Sequence, residues 1–68
     1  MTIKLINANT QELILSKIAT HFAPVAGETV EITLHTKHGK ATTTWRVQSR
    51  VVAYSAVDTE VRVYIYPS

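Results

Sequence analysis

Arginine, lysine and tyrosine recur through the second half of this chain with strand spacing, so that many of them would share one face of a sheet. Arginine and lysine bind carboxylates and phosphates, and tyrosine packs its ring against protein side chains or nucleic-acid bases. The residues predicted to contact a partner are Lys37, Lys40, Arg46, Gln48, Arg50, Tyr54, Arg62, Tyr64 and Tyr66. These residue types predict a surface that binds an acidic partner.

The predicted sheet face is more positive than the chain as a whole. The 68 residues contain seven Lys and Arg against five Asp and Glu, which gives a formal net charge of +2. The face holds five of those seven basic residues, including Lys4, but only two acids, Glu31 and Glu60. The weak overall charge therefore conceals a local positive surface.

Two function classes fit such a face. The first is a small non-catalytic protein-interaction module that docks the basic and aromatic face, or a basic hairpin tip, on an acidic surface of a larger protein or assembly. Small inhibitors from phages and mobile elements act in this way. The second is a nucleic-acid-binding protein whose basic residues contact phosphates and whose tyrosines stack on bases.

The same face has two other interpretations. Antiparallel sheets often leave one face in water, where arginine, tyrosine and threonine suit a half-exposed pleated surface without any ligand. Alternatively, a second copy of the chain could cover the face, because Ile6, Val52 and the tyrosines would expose much apolar area in a small monomer. We therefore also expect that a homodimer or a higher oligomer could form.

Catalytic and metal chemistry has few candidates. The chain has no cysteine, which excludes a disulfide, a thiol nucleophile and a thiolate metal ligand. His21, His35 and His38 are the only histidines, and no nearby carboxylate completes a ligand set. Asp58 and Glu60 form the one close carboxylate pair, at a predicted turn. The sequence therefore predicts no metal, no cofactor and no enzymatic activity.

The N-terminal third predicts one strand followed by one helix. Alternation over residues 2–7 is typical of a short strand. Asn9 and Glu12 have the spacing of a helix cap, and apolar residues then fall on one side of a helix predicted over 10–23. The residues of this apolar stripe are Ile14, Leu15, Ile18, Ala19 and Phe22. Pro24 and Gly27 would end the helix.

The alternation from Glu28 onward predicts a hairpin with a two-residue turn at His38-Gly39. Pairing Lys37 with Lys40 would place Ile32 opposite Trp45, and Trp45 would then pack in the core. The tip of this hairpin is basic and could grip an acidic group. Its charged and titratable residues are Lys37, His38 and Lys40.

The following strand, predicted over 41–55, is too long to stay straight in a compact domain. At about 3.3 Å per residue it would far exceed the dimensions of a chain of this size, so we expect a bend or break around Gln48-Ser49-Arg50. The last strand is predicted over 59–66. An odd loop, Ala56-Val57-Asp58, would align the apolar positions of these two strands.

Together these elements predict an α+β fold, β-α-β-β-β, with one helix packed on a curled and mainly antiparallel sheet of four to five strands. The whole chain, 1–68, is expected to form a single domain. The first strand could pair with the strand that follows the helix or with the last strand. The longest apolar run has three residues, so neither a membrane span nor a secretory signal is expected, and a cytoplasmic location is the default.

The hairpin stretch GKATTTWRVQSRVVAYS, preceded by a short strand and the predicted helix, resembles part of the dodecins, a family of small flavin-binding oligomers. The resemblance includes no diagnostic motif. It implies a third function class, a small-ligand-binding oligomer. Dodecins are usually acidic whereas this chain is basic, so no flavin site is assigned.

Overall fold

The computed structural model describes residues 1–18 and 23–68. Within them the chain forms five strands: β1 (Thr2–Asn7), β2 (Leu13–Ile18), β3 (Thr29–Thr36), β4 (Gly39–Tyr54) and β5 (Thr59–Pro67). The strands form one sheet in the order β2-β1-β5-β4-β3. Neighbouring strands are antiparallel except for β1 and β5, which are parallel, and the sheet curls into a half-barrel.

The predicted α+β class is wrong, because a strand lies where the helix over 10–23 was expected. β2 pairs antiparallel with β1, with Leu15 opposite Leu5. The pairing is irregular between Leu5 and Ile6, so that β2 carries an extra residue, Ile14, and both Ile14 and Leu15 pack against the core. The bulge allows two adjacent apolar residues to face the core, and the same adjacent pair fits the apolar stripe of a helix. The remaining helix positions, 19–22, lie outside the described residues.

The expected helix cap is a turn between β1 and β2. The Asn7 side chain, not that of Asn9, accepts hydrogen bonds from the backbone N–H groups of Asn9 and Thr10, at 2.9 and 3.4 Å. The Asn7 N–H in turn donates to the Glu12 carbonyl at 2.9 Å. Gln11 adopts a positive φ of 63°, a conformation that does not continue into a helix. Asparagine thus directs a hairpin here, as it does in many turns.

β1 lies beside β5, which is the second of the two pairings considered for the first strand. Ile3 is opposite Val61 and Leu5 is opposite Val63. Because β1 also pairs with β2, the described residues show no exposed edge at either side of β1. The resemblance to the dodecins included the predicted helix. Because β2 occupies part of that segment instead, the resemblance is not supported.

The β3–β4 hairpin forms, but two residues out of the predicted register. Thr36 pairs with Gly39, which makes Lys37-His38 the turn instead of His38-Gly39, and Trp45 lies opposite Val30 instead of Ile32. Gly39 does adopt the expected positive φ, 116°. Since the shift is an even number of residues, each side chain of this hairpin stays on the predicted face.

β4 bends where a bend was predicted. Its pairing with β5 is irregular between Val47 and Ser49, which leaves Gln48 as a bulge. One extra residue reverses the alternation that follows, so the side chains of β4 beyond Gln48 occupy the faces opposite to those expected. The β4–β5 loop is correspondingly even, with Tyr54 paired to Thr59 around four loop residues, instead of the predicted odd loop.

The core lies on one face of the curled sheet, called here the inner face. It consists of Ala23, Ile32, Val47, Val61, Val63 and Ile65. Trp45 packs against this cluster as predicted, and its ring N–H donates to the Thr43 hydroxyl at 2.8 Å. The described part of the chain contains no helix with the length and apolar character needed to cross a membrane.

Candidate partner-binding surfaces

The outer face, opposite the core, retains only part of the predicted basic surface. Arg46 and Tyr66 are paired residues of β4 and β5, and Arg62 and Tyr64 follow on the same face of β5. Lys4 lies beside Arg62 on β1. The three arginines and three tyrosines expected together are therefore reduced to two of each.

A carboxylate neutralises part of this outer face. Glu60 Oε1 lies 2.8 Å from Lys4 Nζ, and Glu60 Oε2 lies 3.8 Å from Arg62 Nε. The hydrogen bond from Lys4 holds the pKa of the Glu60 carboxyl below its ordinary value, with Arg62 contributing in the same direction. Arg62 Nε itself is buried and has no hydrogen-bond partner in the described structure. Arg46 and Lys40, which share this face of β4, remain exposed and outside any ion pair among the described residues.

Arg50 and Tyr54 do not lie on the outer face, so this part of the prediction is wrong. The Gln48 bulge moves them to the inner side, where Arg50 is paired with Val63. The Arg50 guanidinium donates from Nη1 to the Ala23 carbonyl at 3.3 Å. Tyr54 lies at the far end of β4 with 82% of its surface exposed. Gln48 is at the bulge itself.

The β3–β4 arm, defined as residues 33–44, is the most exposed region that the structure describes. Every one of its residues is exposed, and β3 packs on no described strand other than β4. The molecule is accordingly elongated, with extents of 41 × 23 × 22 Å. The Thr33 and Thr42 hydroxyls bond across the two strands at 2.8 Å.

The tip of the arm is held in shape by one threonine. The Thr36 hydroxyl donates to the Gly39 carbonyl at 2.9 Å and accepts from the His38 N–H at 3.3 Å. Lys37 lies in this ordered turn, Lys40 directly follows Gly39, and both are exposed. The tip thus presents two ammonium groups from a backbone that needs little further ordering, which lowers the entropy cost of binding.

The arm carries all of the net charge of the chain. It contains Lys37 and Lys40 and no acid, and the other 56 residues contain five basic and five acidic side chains. This segregation is visible in the sequence, since residues 32–57 include no Asp or Glu. The prediction from strand alternation did not identify this segregation of charge, because it assigned the positive surface mainly to one face of the sheet and only secondarily to the hairpin tip.

A shallow groove lies at the opposite end of β4, beside the β4–β5 loop. It encloses about 350 Å³ and is lined by Thr2, Ala53, Tyr54, Ser55, Asp58, Thr59 and Glu60. The backbone N–H of Thr59 and the N-terminal ammonium, 3.3 Å away, hold the pKa of Asp58 below its ordinary value. The pKa of Glu60 is lowered as well, so both carboxylates are ionised at neutral pH. General acid–base pairs instead need pKa values that are shifted apart.

In the described part of the chain, no three histidine or carboxylate side chains lie close enough to hold a metal ion. His35 is on the arm and His38 is at its tip, whereas His21 lies outside the described residues. Comparisons of the chain with protein-family models, curated proteins and solved structures found no match.

Proposed function

We propose that this protein is a non-catalytic interaction module that docks the β3–β4 arm on an acidic surface of a larger protein. The observation that supports this proposal is the segregation of charge: the fully exposed arm carries the whole excess of +2, while the remainder of the chain is balanced. A protruding hairpin also reaches into a concave surface more readily than a sheet face does. A partner surface occupied in this way would be closed to its other ligands, which is how an inhibitor of this size would act.

The choice of the arm over the outer face rests on the ion pairs. Lys4 and Arg62 already contact Glu60, so an acidic partner would have to compete with an internal carboxylate for both. Lys37 and Lys40 form no ion pair among the described residues. Their charges are therefore available without an exchange of partners.

A nucleic-acid partner is the second candidate and is less well supported. Binding through stacked bases would use tyrosines and arginines on one face, but the bulge moves Arg50 and Tyr54 away from Tyr64. The arm alone offers two lysines. Two phosphate contacts would give a log–log salt slope of about −1.4 on single strands, which is characteristic of weak binding.

The test compares two charge reversals of equal size. The double variant Lys37→Glu and Lys40→Glu changes the arm, and the control Lys17→Glu and Arg46→Glu changes exposed residues elsewhere by the same four units. Each variant is used to capture partners from a lysate of the native host, and the recovered partner is then purified and titrated. Reversal in the arm is expected to weaken binding by at least about tenfold, because each lost charge-assisted contact contributes about 1.5–3 kcal/mol.

Three outcomes would contradict this proposal. Equal affinity of both variants for the partner would exclude the arm. Loss of binding in the control alone would assign the contact to the surface around Lys17 or Arg46 instead of the arm. Titration with single-stranded DNA or RNA that gives micromolar affinity and a steep salt slope would favour the nucleic-acid function instead.

A further inference from the structure

β3 is an edge strand whose outward backbone groups have no partner in the described structure. It is the last strand of the sheet order, and the described residues include nothing paired to its other side. Thr36 and Gly39 close a two-residue turn and therefore exchange hydrogen bonds, which fixes the phase of the ladder. The Val47 N–H donates to the Glu28 carbonyl at 2.9 Å in the same phase.

This phase determines which backbone groups face outward. Residues of β3 at even positions bond to β4, so those at odd positions direct their N–H and C=O groups to the open edge. The odd positions are Thr29, Glu31, Thr33 and His35. Natural edge strands are protected by charged side chains, above all lysine, by proline, by bulges or by short length. Residues 29–36 have eight members, a regular register with β4, no lysine and no proline, and Glu31 is their one acidic residue.

We infer that β3 pairs with β3 of a second copy, antiparallel, about a twofold axis at Thr33. In this register Thr33 faces Thr33 of the other copy as a hydrogen-bonded pair, since both use outward backbone groups. Glu31 faces His35 of the other copy twice, once on each side of the axis. On the inner side Ile32 faces Leu34, which in the single chain is 40% exposed.

The side chains favour a second copy in this register over other alignments. A twofold axis at Glu31 would place two carboxylates opposite each other, which is destabilising. An axis at Ile32 would cover as many residues but would leave Glu31 facing threonine. An axis at Thr33 alone matches Glu31 with His35 while covering seven residues of each strand. In this register the apolar side chains of β3 face each other, and so do its polar side chains.

The pairing would join two half-barrels into one sheet of ten strands. The two arm tips would point in opposite directions, with their Lys37 residues about 27 Å apart along the strand, at 3.4 Å per residue. The inference does not depend on the proposed function, because neither Lys37 nor Lys40 is among the residues that would pair with the second copy. Both tips would remain free.

Proline at position 33 tests the edge directly. The outward N–H of Thr33 has no bond to β4, so Thr33→Pro is compatible with the single chain yet removes two symmetric intermolecular hydrogen bonds. Thr33→Ala is the matched control, because both variants lose the bond to the Thr42 hydroxyl and the alanine keeps its N–H. Mass is measured by light scattering and sedimentation over a concentration series, with circular dichroism to confirm folding.

The wild-type chain and Thr33→Ala are expected to move from 7.6 kDa towards twice that mass as concentration rises. Thr33→Pro should associate at least about tenfold more weakly. A wild-type chain that stays at 7.6 kDa up to millimolar concentration would overturn the inference. Association of Thr33→Pro with wild-type affinity would overturn it equally.

Cysteine cross-linking provides a second readout in case the proline variant does not fold. The chain contains no cysteine, so Thr33→Cys would introduce a single thiol close to its symmetry mate. Ser16→Cys places the control thiol on β2, at the other side of the sheet. Rapid disulfide formation by Thr33→Cys alone is expected. Equal rates for the two variants, or no cross-link at position 33, would contradict the pairing.

Discussion

The two halves of β4 belong to regions with opposite character. Residues 39–44 form one strand of the arm, where every side chain is exposed. Beyond the Gln48 bulge most side chains of β4 are exposed too, but there the strand pairs with the core strand β5, opposite Val61 and Val63, which are 2% and 0% exposed. The arm carries all of the net charge, whereas the rest of the chain has equal numbers of acidic and basic residues.

This difference shows how stability and binding are separated within one small sheet. The contacts of β5 with β1 and β4 bury the apolar side chains. The ion pair between Lys4 and Glu60 in this region joins two residues of the same chain. The arm has little to bury and is held by the backbone ladder and a few hydroxyl bonds. Substitutions in the arm should therefore alter binding more than folding, and substitutions in the core should do the reverse.

The largest expected effect comes from Ile65, which is 0% exposed and lies between Asn7 of β1 and Val47 of β4. Ile65→Ala should lower the free energy of unfolding by about 3 kcal/mol, through lost burial and the cavity that remains. The matched arm variant, Leu34→Ala, should cost less than about 1 kcal/mol because Leu34 is 40% exposed. Urea unfolding of the two variants measures the difference.

A domain of 68 residues has a total stability of about 3–10 kcal/mol, so Ile65→Ala could leave too little folded protein to measure. Ile65→Val then replaces it, with an expected loss of about 1 kcal/mol, and Leu34→Val becomes the arm variant, which should stay within about 0.5 kcal/mol of the wild type. Equal losses for the position 65 and position 34 variants would mean that the arm is as tightly packed as the core, contrary to the comparison.

Strand alternation predicted the arm correctly as far as faces are concerned, and it located the bend of β4. It could not predict that the bend is a single-residue bulge, because Gln48, Ser49 and Arg50 are all polar and none of them marks the position of an extra residue. One inserted residue then moved Arg50 and Tyr54 from the predicted face. A binding surface predicted from strand alternation is therefore correct only where the strand contains no extra residue between the predicted contact residues.

The failure of the helix prediction has a related cause. Asn9, Glu12 and the apolar pair Ile14-Leu15 fit a capped amphipathic helix locally, but the pairing of β1 with β2 outweighs that local preference. The other bulge, at Ile14, allows the adjacent residues Ile14 and Leu15 both to pack against the core. Both main errors therefore arise from bulges, whose positions depend on how neighbouring strands fit together.

The reassignment of Arg50 can be tested by comparing it with Arg46, which the sequence placed on the same face. Arg50→Met keeps most of the side-chain packing but removes the hydrogen bond to the Ala23 carbonyl, so it should cost about 1 kcal/mol. Arg46→Met makes the same chemical change at an exposed outer position and should stay within about 0.5 kcal/mol of the wild type. Urea unfolding at one pH measures both variants. Indistinguishable losses would mean that the hydrogen bond of Arg50 to the Ala23 carbonyl contributes nothing measurable to stability.

The smallest expected effect is a dependence of stability on pH that arises outside the arm. The lowered pKa of Glu60 means that its ionised form is favoured by the fold, above all by the hydrogen bond from Lys4. Its contribution is therefore complete above the pKa of the glutamate in the unfolded chain and is lost as the pH falls from that value through the lower folded one. Asp58 acts in the same direction.

Melting temperatures measured between pH 6 and pH 3 should fall for the wild-type chain and fall less for Glu60→Gln. Lys4→Met should flatten the profile in a similar way, because it removes the main cause of the lowered Glu60 pKa. Lys40→Met is the control from the arm, since Lys40 contacts no acid among the described residues, and it should keep the wild-type slope. A slope that changes as much with Lys40→Met as with Lys4→Met would show that the arm's charge is coupled to folding, and the separation of binding from stability would then fail.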